Sequence, residues 1–330
     1  MRGKHQIRVS DNRVVYDLTI VRNITIIRGD SATGKTTLLE MLDTYLRYGD
    51  DSGISVECDV PISVYLSDNR RGHWREQLSN AEGSIVFIEE LNPFVNTKEF
   101  AEYISTSGSY YVLITRWSLK NLPYSVEEIY KLTEKGKYPG TRKIYNGLEH
   151  YYESDRAVAA TALDKVITED AKAGFEFYQV LCKNSELLCE SAFGNSNIIK
   201  CMRTETEKVV LYIADGAAFG AYMDDCMSFL AFHRNAGSIL WLPESFEFLI
   251  LKAGIPEIPN LADILEHTFD YVDSENYITW ERFYTSLLTE ETRGTEKEYR
   301  KGKLGDYYKG FPVMHKILHI MPEKIRDLLE

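Results

Sequence analysis

The chain has 330 residues, 44% of them hydrophobic and 27% charged, which is enough for two domains of ordinary globular composition. It contains no apolar run of membrane-spanning length. The net charge of −12 falls almost entirely in residues 151–330, which argues against nonspecific binding of nucleic acid by that half. The charged first residues are followed by no apolar stretch, so no secretory signal is expected. The five scattered cysteines form no CxxC pair, which indicates reduced thiols and a cytoplasmic location.

The N-terminal half, residues 1–150, is predicted to fold as an α/β domain. Apolar and β-branched runs predict strands, in chain order, at residues 6–10, 14–20, 23–28, 54–58, 62–66, 84–90 and 110–116. The turn-forming pair Asp11-Asn12 between the first two runs predicts an N-terminal β-hairpin. Leucines at helical spacing predict a helix from Lys35 to Gly49, and a second helix is expected at residues 97–105. This alternation indicates a parallel sheet with helices on both faces.

The C-terminal half, residues 151–330, is predicted to be a second α/β domain of Rossmann-like type with a helical tail. Its first element is expected to be a helix at residues 157–167. A further β/α alternation is then predicted at residues 186–189, 197–202, 208–214, 222–232 and 238–242. From about residue 260 the chain is predicted to be mainly helical. Glycine and proline are frequent between Tyr124 and the domain boundary, so that stretch is predicted to be irregular.

A complete phosphate-binding motif follows the third predicted strand. It has the form G-x-x-x-x-G-K-[ST], opens a helix, and comprises Gly29, Asp30, Ser31, Ala32, Thr33, Gly34, Lys35 and Thr36, with Thr37 next in the helix. The glycines let backbone N–H groups surround a phosphate at the helix N-terminus. Lys35 is expected to reach the β- and γ-phosphates, and the Thr36 hydroxyl to bind Mg²⁺. We therefore expect these residues to bind ATP with Mg²⁺; no N-K-x-D motif that would select guanine is present.

Two acidic residues end the strand predicted at 84–90. Glu89 is expected to hold Mg²⁺ through water, and Glu90 to orient or deprotonate the attacking water, with the division of roles between the two left open. Arg116 ends the next predicted strand, where its charge would stabilise the transition state; a solvent-facing arginine is the alternative. Lys35, Glu90 and Arg116 are therefore the predicted catalytic residues.

These segments resemble the additional-strand, catalytic-glutamate class of P-loop NTPases, which includes ABC-type and AAA+ ATPases. The resemblance covers about residues 5–135 and rests on the phosphate-binding motif, on residues 84–90 and on Thr115-Arg116. It implies a P-loop sheet and Mg²⁺-dependent hydrolysis of ATP. The chain has no LSGGQ-like signature, so completion of the site across a dimer in the ABC manner is not implied.

Two stretches of the C-terminal half are similar to the topoisomerase–primase (TOPRIM) fold, over a core of about residues 175–255. In this comparison Glu190 is the strand-end glutamate and Asp215 the first aspartate of the D-x-D motif, which implies that both bind Mg²⁺ for phosphodiester chemistry. Ala217 stands at the second aspartate position, where it cannot bind a metal ion. Glu244 and Glu247 follow the last predicted core strand, where the related nucleases have an acidic element. The alternative is a Rossmann-like domain whose strand ends are acidic.

The combination of the two halves resembles the overcoming-lysogenization-defect family, which joins an ATPase to a TOPRIM domain. The resemblance implies that nucleotide state regulates a C-terminal effector domain in phage defence. Three alternatives remain: a metal-dependent nuclease, a noncatalytic ATP-gated scaffold and a small-molecule phosphotransferase. Residues 151–330 carry 30 acidic against 19 basic side chains, so charge does not support nucleic acid as the partner. A protein partner or a second copy of the chain is expected at the acidic half.

Overall fold

The structure is a computed structural model that describes residues 1–29, 33–67, 74–136, 143–152, 162–233 and 237–330. The chain divides into two compact units. The first comprises Met1–Ser154 and His267–Ile278, and the second comprises Asp155–Glu266 and Thr279–Glu330. The segment His267–Ile278, which the sequence assigns to the C-terminal domain, therefore belongs to the first unit by its contacts.

Helices occur in both units. They are, in chain order, α1 (Lys35–Tyr48), α2 (Trp74–Ser79), α3 (Lys98–Ile104), α4 (Ala173–Asn184), α5 (Asn195–Thr204), α6 (Met223–Phe232), α7 (Phe246–Lys252), α8 (Leu261–Glu266), α9 (Thr268–Tyr271), α10 (Trp280–Thr292), α11 (Phe311–His319) and α12 (Glu323–Leu329). Of these, α1, α2, α3 and α9 lie in the first unit. Within the described part of the chain, no helix is both long enough and apolar enough to cross a membrane.

The described strands of the first unit form one mixed sheet. They are β1 (His5–Ser10), β2 (Val14–Ile20), β3 (Ile24–Arg28), β4 (Ser55–Glu57), β5 (Ile62–Tyr65), β6 (Ile85–Ile88), β7 (Tyr110–Ile114), β8 (Ile129–Glu134) and β9 (Ile144–His150). Their order across the sheet is β4-β1-β2-β9-β8-β3-β7-β6-β5. Neighbours from β8 to β5 pair in parallel, whereas β8 pairs with β9, and β1 with β2, antiparallel. The N-terminal hairpin is thus confirmed, and the predicted parallel sheet forms one end of a mixed one, from β8 to the edge strand β5.

Burial explains why three interior strands could be predicted from the sequence. β3, β6 and β7 are buried along their whole length, as continuous apolar runs in a covered parallel sheet should be. In α1, the residues Leu38, Leu39 and Leu42 are buried in the same hydrophobic cluster as Ile27 and Phe87. β8 and β9 lie in the stretch predicted to be irregular. That prediction was wrong because β9 is held by β2 and β8, and β2 is more than a hundred residues away in the chain.

A second, wholly parallel sheet forms the centre of the second unit. Its strands are β10 (Lys165–Thr168), β11 (Leu188–Ser191), β12 (Val210–Ile213) and β13 (Ile239–Trp241), in the order β11-β10-β12-β13. The helices α4, α5 and α6 connect successive strands, as parallel pairing requires. The helix predicted at residues 157–167 is wrong at its C-terminal end, because Lys165–Ile167 belong to the strand β10. Residues 157–161 of this prediction lie outside the described residues. Val166 and Ile167 are buried between β11 and β12, so sheet pairing decides their conformation.

Candidate functional site

Three strand ends of the first unit meet at one edge of its sheet. β7 is hydrogen-bonded in parallel to β3 on one side and to β6 on the other. The residues that follow these strands are Gly29 after β3, Thr115 after β7 and Glu89 after β6. Carboxyl ends of parallel strands are where α/β sheets bind ligands, because the connecting loops there leave a crevice. The predicted phosphate loop and the predicted acidic pair therefore share an edge.

Gly29 and Thr33, described residues of the predicted phosphate-binding motif, both contact the Lys35 side chain. Gly29 has φ +138° and Gly34 has φ +86°, backbone conformations that favour glycine. The buried Lys35 ammonium donates hydrogen bonds to the Gly29 carbonyl oxygen at 2.7 Å and to Thr33 Oγ1 at 2.8 Å. Thr36 and Thr37 are exposed in the first turn of α1. Asp30, Ser31 and Ala32 lie outside the described residues.

Tyr16 fixes the second glycine of the motif. Its buried hydroxyl donates to the Gly34 carbonyl oxygen at 2.9 Å, and a Cβ added to Gly34 would lie 2.8 Å from that hydroxyl oxygen. Burial raises the pKa of the Tyr16 phenol, so the hydroxyl remains a donor at neutral pH. The sequence motif does not include this residue, because it lies on β2, 18 residues upstream. Gly34 is therefore required both by its φ angle and by the contact with Tyr16.

Of the two predicted acidic residues, Glu90 contacts the predicted catalytic Arg116, and Glu89 contacts the backbone. Glu90 Oε1 lies 3.1 Å from Arg116 Nε, which brings two of the predicted catalytic residues together. The Glu89 carboxylate accepts a hydrogen bond of 2.7 Å from the backbone N–H of Ser67, which follows β5. Thr115, next to Arg116, is buried. The two glutamates thus have different partners, Glu89 a neutral amide and Glu90 a cation.

In the second unit, Glu190 and Asp215 have different surroundings. The half-exposed Glu190 carboxylate at the end of β11 lies 3.0 Å from the Lys165 ammonium, which also lies 2.8 Å from Glu205. Burial alone would lower the pKa of Lys165, but the hydrogen bonds that its ammonium donates to Glu205 and Glu190 outweigh it and raise the pKa. Asp215 follows β12, and β10 separates that strand from β11. The two residues predicted to share a metal ion are therefore each engaged by other groups.

Asp215 lies in what we call the acidic pocket, at the carboxyl ends of β10, β12 and β13. The carboxylates of this pocket are Glu169, Asp170, Asp215 and Glu247, and Lys301 completes its wall together with Tyr178. Glu281, in the first turn of α10, is hydrogen-bonded to the Lys301 ammonium and is counted with the pocket. Sequence reasoning missed Glu169 and Asp170 because β10 was predicted as helix. A weak signal was present, because the apolar pair Val166-Ile167 is followed, after Thr168, by two acids, and the longer apolar run at residues 84–90 likewise ends in two acids.

Burial, and then the crowding of acids, raises the pKa of three of the carboxylates. Burial, together with the negative charges of Asp170 and Glu281, raises the pKa of Glu169 to about 7. Burial and neighbouring carboxylates raise the pKa of Asp215 well above its ordinary value. Burial acts to lower the pKa of Lys301, but Glu247 and Glu281 outweigh it, so the pKa is raised and the ammonium stays charged. The pocket therefore holds one charged ammonium beside three carboxylates whose pKa values are raised, those of Glu169, Asp170 and Asp215.

Comparison with known proteins adds no family assignment. No protein family model matches the chain, and no curated protein sequence matches it. Among the residues that the structure describes, no group of three or more His, Cys, Asp or Glu side chains is arranged to hold a metal ion.

Proposed function

We propose that the first unit binds and hydrolyses ATP with Mg²⁺, and that its nucleotide state regulates the second unit. One observation carries the proposal: β7 lies between β3, which leads into the phosphate-binding motif, and β6, which leads into Glu89 and Glu90. This arrangement supports the resemblance to the additional-strand class, in which β7 would be the additional strand. The loop that contains Lys35 and the carboxylates of Glu89 and Glu90 thus follow neighbouring strands of one parallel sheet.

Each side chain has a distinct role in this proposal. Lys35 exchanges two neutral acceptors, the Gly29 carbonyl and the Thr33 hydroxyl, for anionic phosphate oxygens, which make stronger, charge-assisted hydrogen bonds. The exposed Thr36 hydroxyl and the Glu89 carboxylate are hard oxygen donors, which suit Mg²⁺. Bound Mg²⁺ would neutralise phosphate charge. Glu90 orients the attacking water, and its contact with Arg116 holds the carboxylate in place.

The proposed regulation has a physical basis in the connections between the units. The chain leaves the first unit after Ser154, returns to it at His267, and leaves it again after Ile278. Within the first unit, the returning segment is held by a hydrogen bond from Ser274 Oγ to the Ser107 carbonyl oxygen at 2.9 Å. Ser107 lies just before β7, and β7 ends just before Thr115 and Arg116 at the candidate site. A displacement of β7 on nucleotide binding would therefore reach the segment that continues into α10.

Phosphate release tests the catalytic part of the proposal. We expect Mg²⁺-dependent hydrolysis of ATP by the wild type, and loss of hydrolysis in Lys35→Ala and in Glu90→Gln. Lys98→Ala and Glu102→Gln, which alter exposed residues of α3, are the matched controls and should hydrolyse ATP normally. A folded wild type that binds no ATP, or a Lys35→Ala variant with full activity, would refute the proposal.

Two further measurements distinguish the alternatives. Transfer of the γ-phosphate of radiolabelled ATP to a metabolite instead of water would indicate a phosphotransferase. Tight binding of ATP without turnover would indicate an ATP-gated scaffold.

Hydrogen–deuterium exchange tests the proposed regulation of the second unit. With Mg²⁺ and ATP, amide exchange in the second unit should change in Glu90→Gln, which is expected to retain ATP, and stay constant in Lys35→Ala.

A further inference from the structure

We propose that the Lys301 ammonium is the permanent cation of the acidic pocket and occupies the place that a metal ion would take there. The TOPRIM resemblance implies Mg²⁺ bound by Glu190 and Asp215, and the structure does not fit that site. Glu190 is paired with Lys165, and Asp215 lies in a pocket whose cation belongs to the chain itself. This inference concerns the second unit only and does not depend on ATP hydrolysis by the first.

Lys301 is held in the pocket by its neighbours. Its ammonium pairs with Glu281 and lies 3.6 Å from Glu247 Oε1. Its carbonyl oxygen accepts a hydrogen bond of 3.2 Å from the backbone N–H of Ala173, the first residue of α4. Two positions earlier, the buried Tyr299 donates its hydroxyl to Glu247 Oε1 at 2.7 Å. Lys301 is therefore part of a fixed loop rather than a mobile surface lysine.

The protein also supplies the other donors that the carboxylates need. The Asp170 carboxylate accepts backbone N–H groups of Lys172 and Phe175, at 3.3 and 2.9 Å, at the start of α4. Asp215 Oδ1 accepts the N–H of Phe246 at the start of α7, at 3.2 Å. The backbone N–H of Asn195, at the start of α5, favours the charged form of the Glu169 carboxylate and opposes the rise in its pKa. Helix N-termini carry partial positive charge, so three of them and one ammonium offset the acids without a metal ion.

Two polar atoms of the pocket mark where a foreign cation would bind if Lys301 were removed. Glu247 is buried, and its Oε2 atom has no hydrogen-bond partner among the residues that the structure describes. Within the same described part of the chain, the buried Tyr178 hydroxyl of this pocket also has none. A buried carboxylate that loses its counter-charge must bind a proton or another cation. The pocket without Lys301 should therefore acquire affinity for a divalent cation that the intact pocket lacks.

Mn²⁺ binding to the full chain without nucleotide tests the proposal. The variants are Lys301→Met, which removes the charge at similar length, Lys301→Arg, which keeps a cation, and Lys303→Met, an exposed control on the same loop. We expect Lys301→Met alone to gain one saturable Mn²⁺ site by isothermal titration, and a rise in its melting temperature with MnCl₂ that the others do not show. Adding Asp215→Asn to Lys301→Met should remove the gained site.

Two results would overturn the proposal. One is a folded Lys301→Met variant whose Mn²⁺ binding equals that of the wild type. The other is a saturable Mn²⁺ site in the wild type that Asp215→Asn abolishes, because the metal would then share the pocket with Lys301. The second comparison uses proteins that retain Lys301, so it decides the question even if Lys301→Met does not fold.

Discussion

Replacing Glu169 by Gln should stabilise the protein, and more so at high pH than at low pH. The pKa of Glu169 is raised from 4.5 to about 7 in the folded state, chiefly by burial. Between these values the folded protein keeps a proton that the unfolded chain has released. Below the unfolded-state pKa this group therefore does not lower the free energy of unfolding. As pH rises from there towards the folded-state pKa, the free energy of unfolding falls by about 1.4 kcal/mol per pH unit.

The magnitude follows from the same two pKa values. The wild type should lose about 1.4 kcal/mol by about pH 5.5 and about 3.4 kcal/mol by about pH 8, relative to a neutral side chain. The advantage of Glu169→Gln should thus grow by about 2 kcal/mol over this range. Urea unfolding followed by circular dichroism at the two pH values measures it. Glu207→Gln, which removes an exposed carboxylate of the same unit, controls for net charge. An advantage for Glu169→Gln that is the same at both pH values would refute the reasoning.

Three further substitutions test the packing of the two units by urea unfolding. Gly34→Ala should destabilise the first unit by about 1–3 kcal/mol, because φ is +86° and the new Cβ would meet the Tyr16 hydroxyl; an unchanged midpoint would contradict this. Thr25→Val should lower the free energy of unfolding by about 1–3 kcal/mol, because it removes the 3.0 Å hydrogen bond to the buried Glu128 carboxylate. An unchanged free energy of unfolding would contradict this. Lys165→Met should lower the free energy of unfolding by about 1–2 kcal/mol, because it removes the ion pairs with Glu190 and Glu205; high salt should reduce this difference.

The elements with strong local signals were predictable from sequence. The hairpin, the strands β3, β6 and β7, and the helix after the phosphate-binding motif agree with the structure to within two residues at each end. The three strands are apolar runs, the helix has leucines at helical spacing and ends at a glycine, and the hairpin has a turn-forming pair between its strands. In each case local sequence and tertiary burial favour the same conformation. β10 was missed because its two apolar residues, Val166 and Ile167, follow an alanine-rich stretch that favours a helix, and because its burial comes from β11 and β12.

The acidic pocket was the part least visible in the sequence. Its groups come from separate regions, after β10, after β12, at the start of α7, at the start of α10 and from the loop at Lys301. Each acid alone is an ordinary strand or helix terminus, and Lys301 lies in a segment of mixed charge that gives no local signal. Only the spatial meeting of three helix N-termini with one lysine distinguishes the pocket from an acidic surface.

Equilibrium binding of ATP in the presence of Mg²⁺, measured by isothermal titration calorimetry on the wild type and on Lys35→Ala, tests the central claim most directly. Losing a charge-assisted contact worth about 1.5–3 kcal/mol should weaken binding by about 10- to 100-fold. We predict one saturable site in the wild type and this loss in Lys35→Ala. Equal affinity in both proteins, or no binding by folded wild type, would contradict the account.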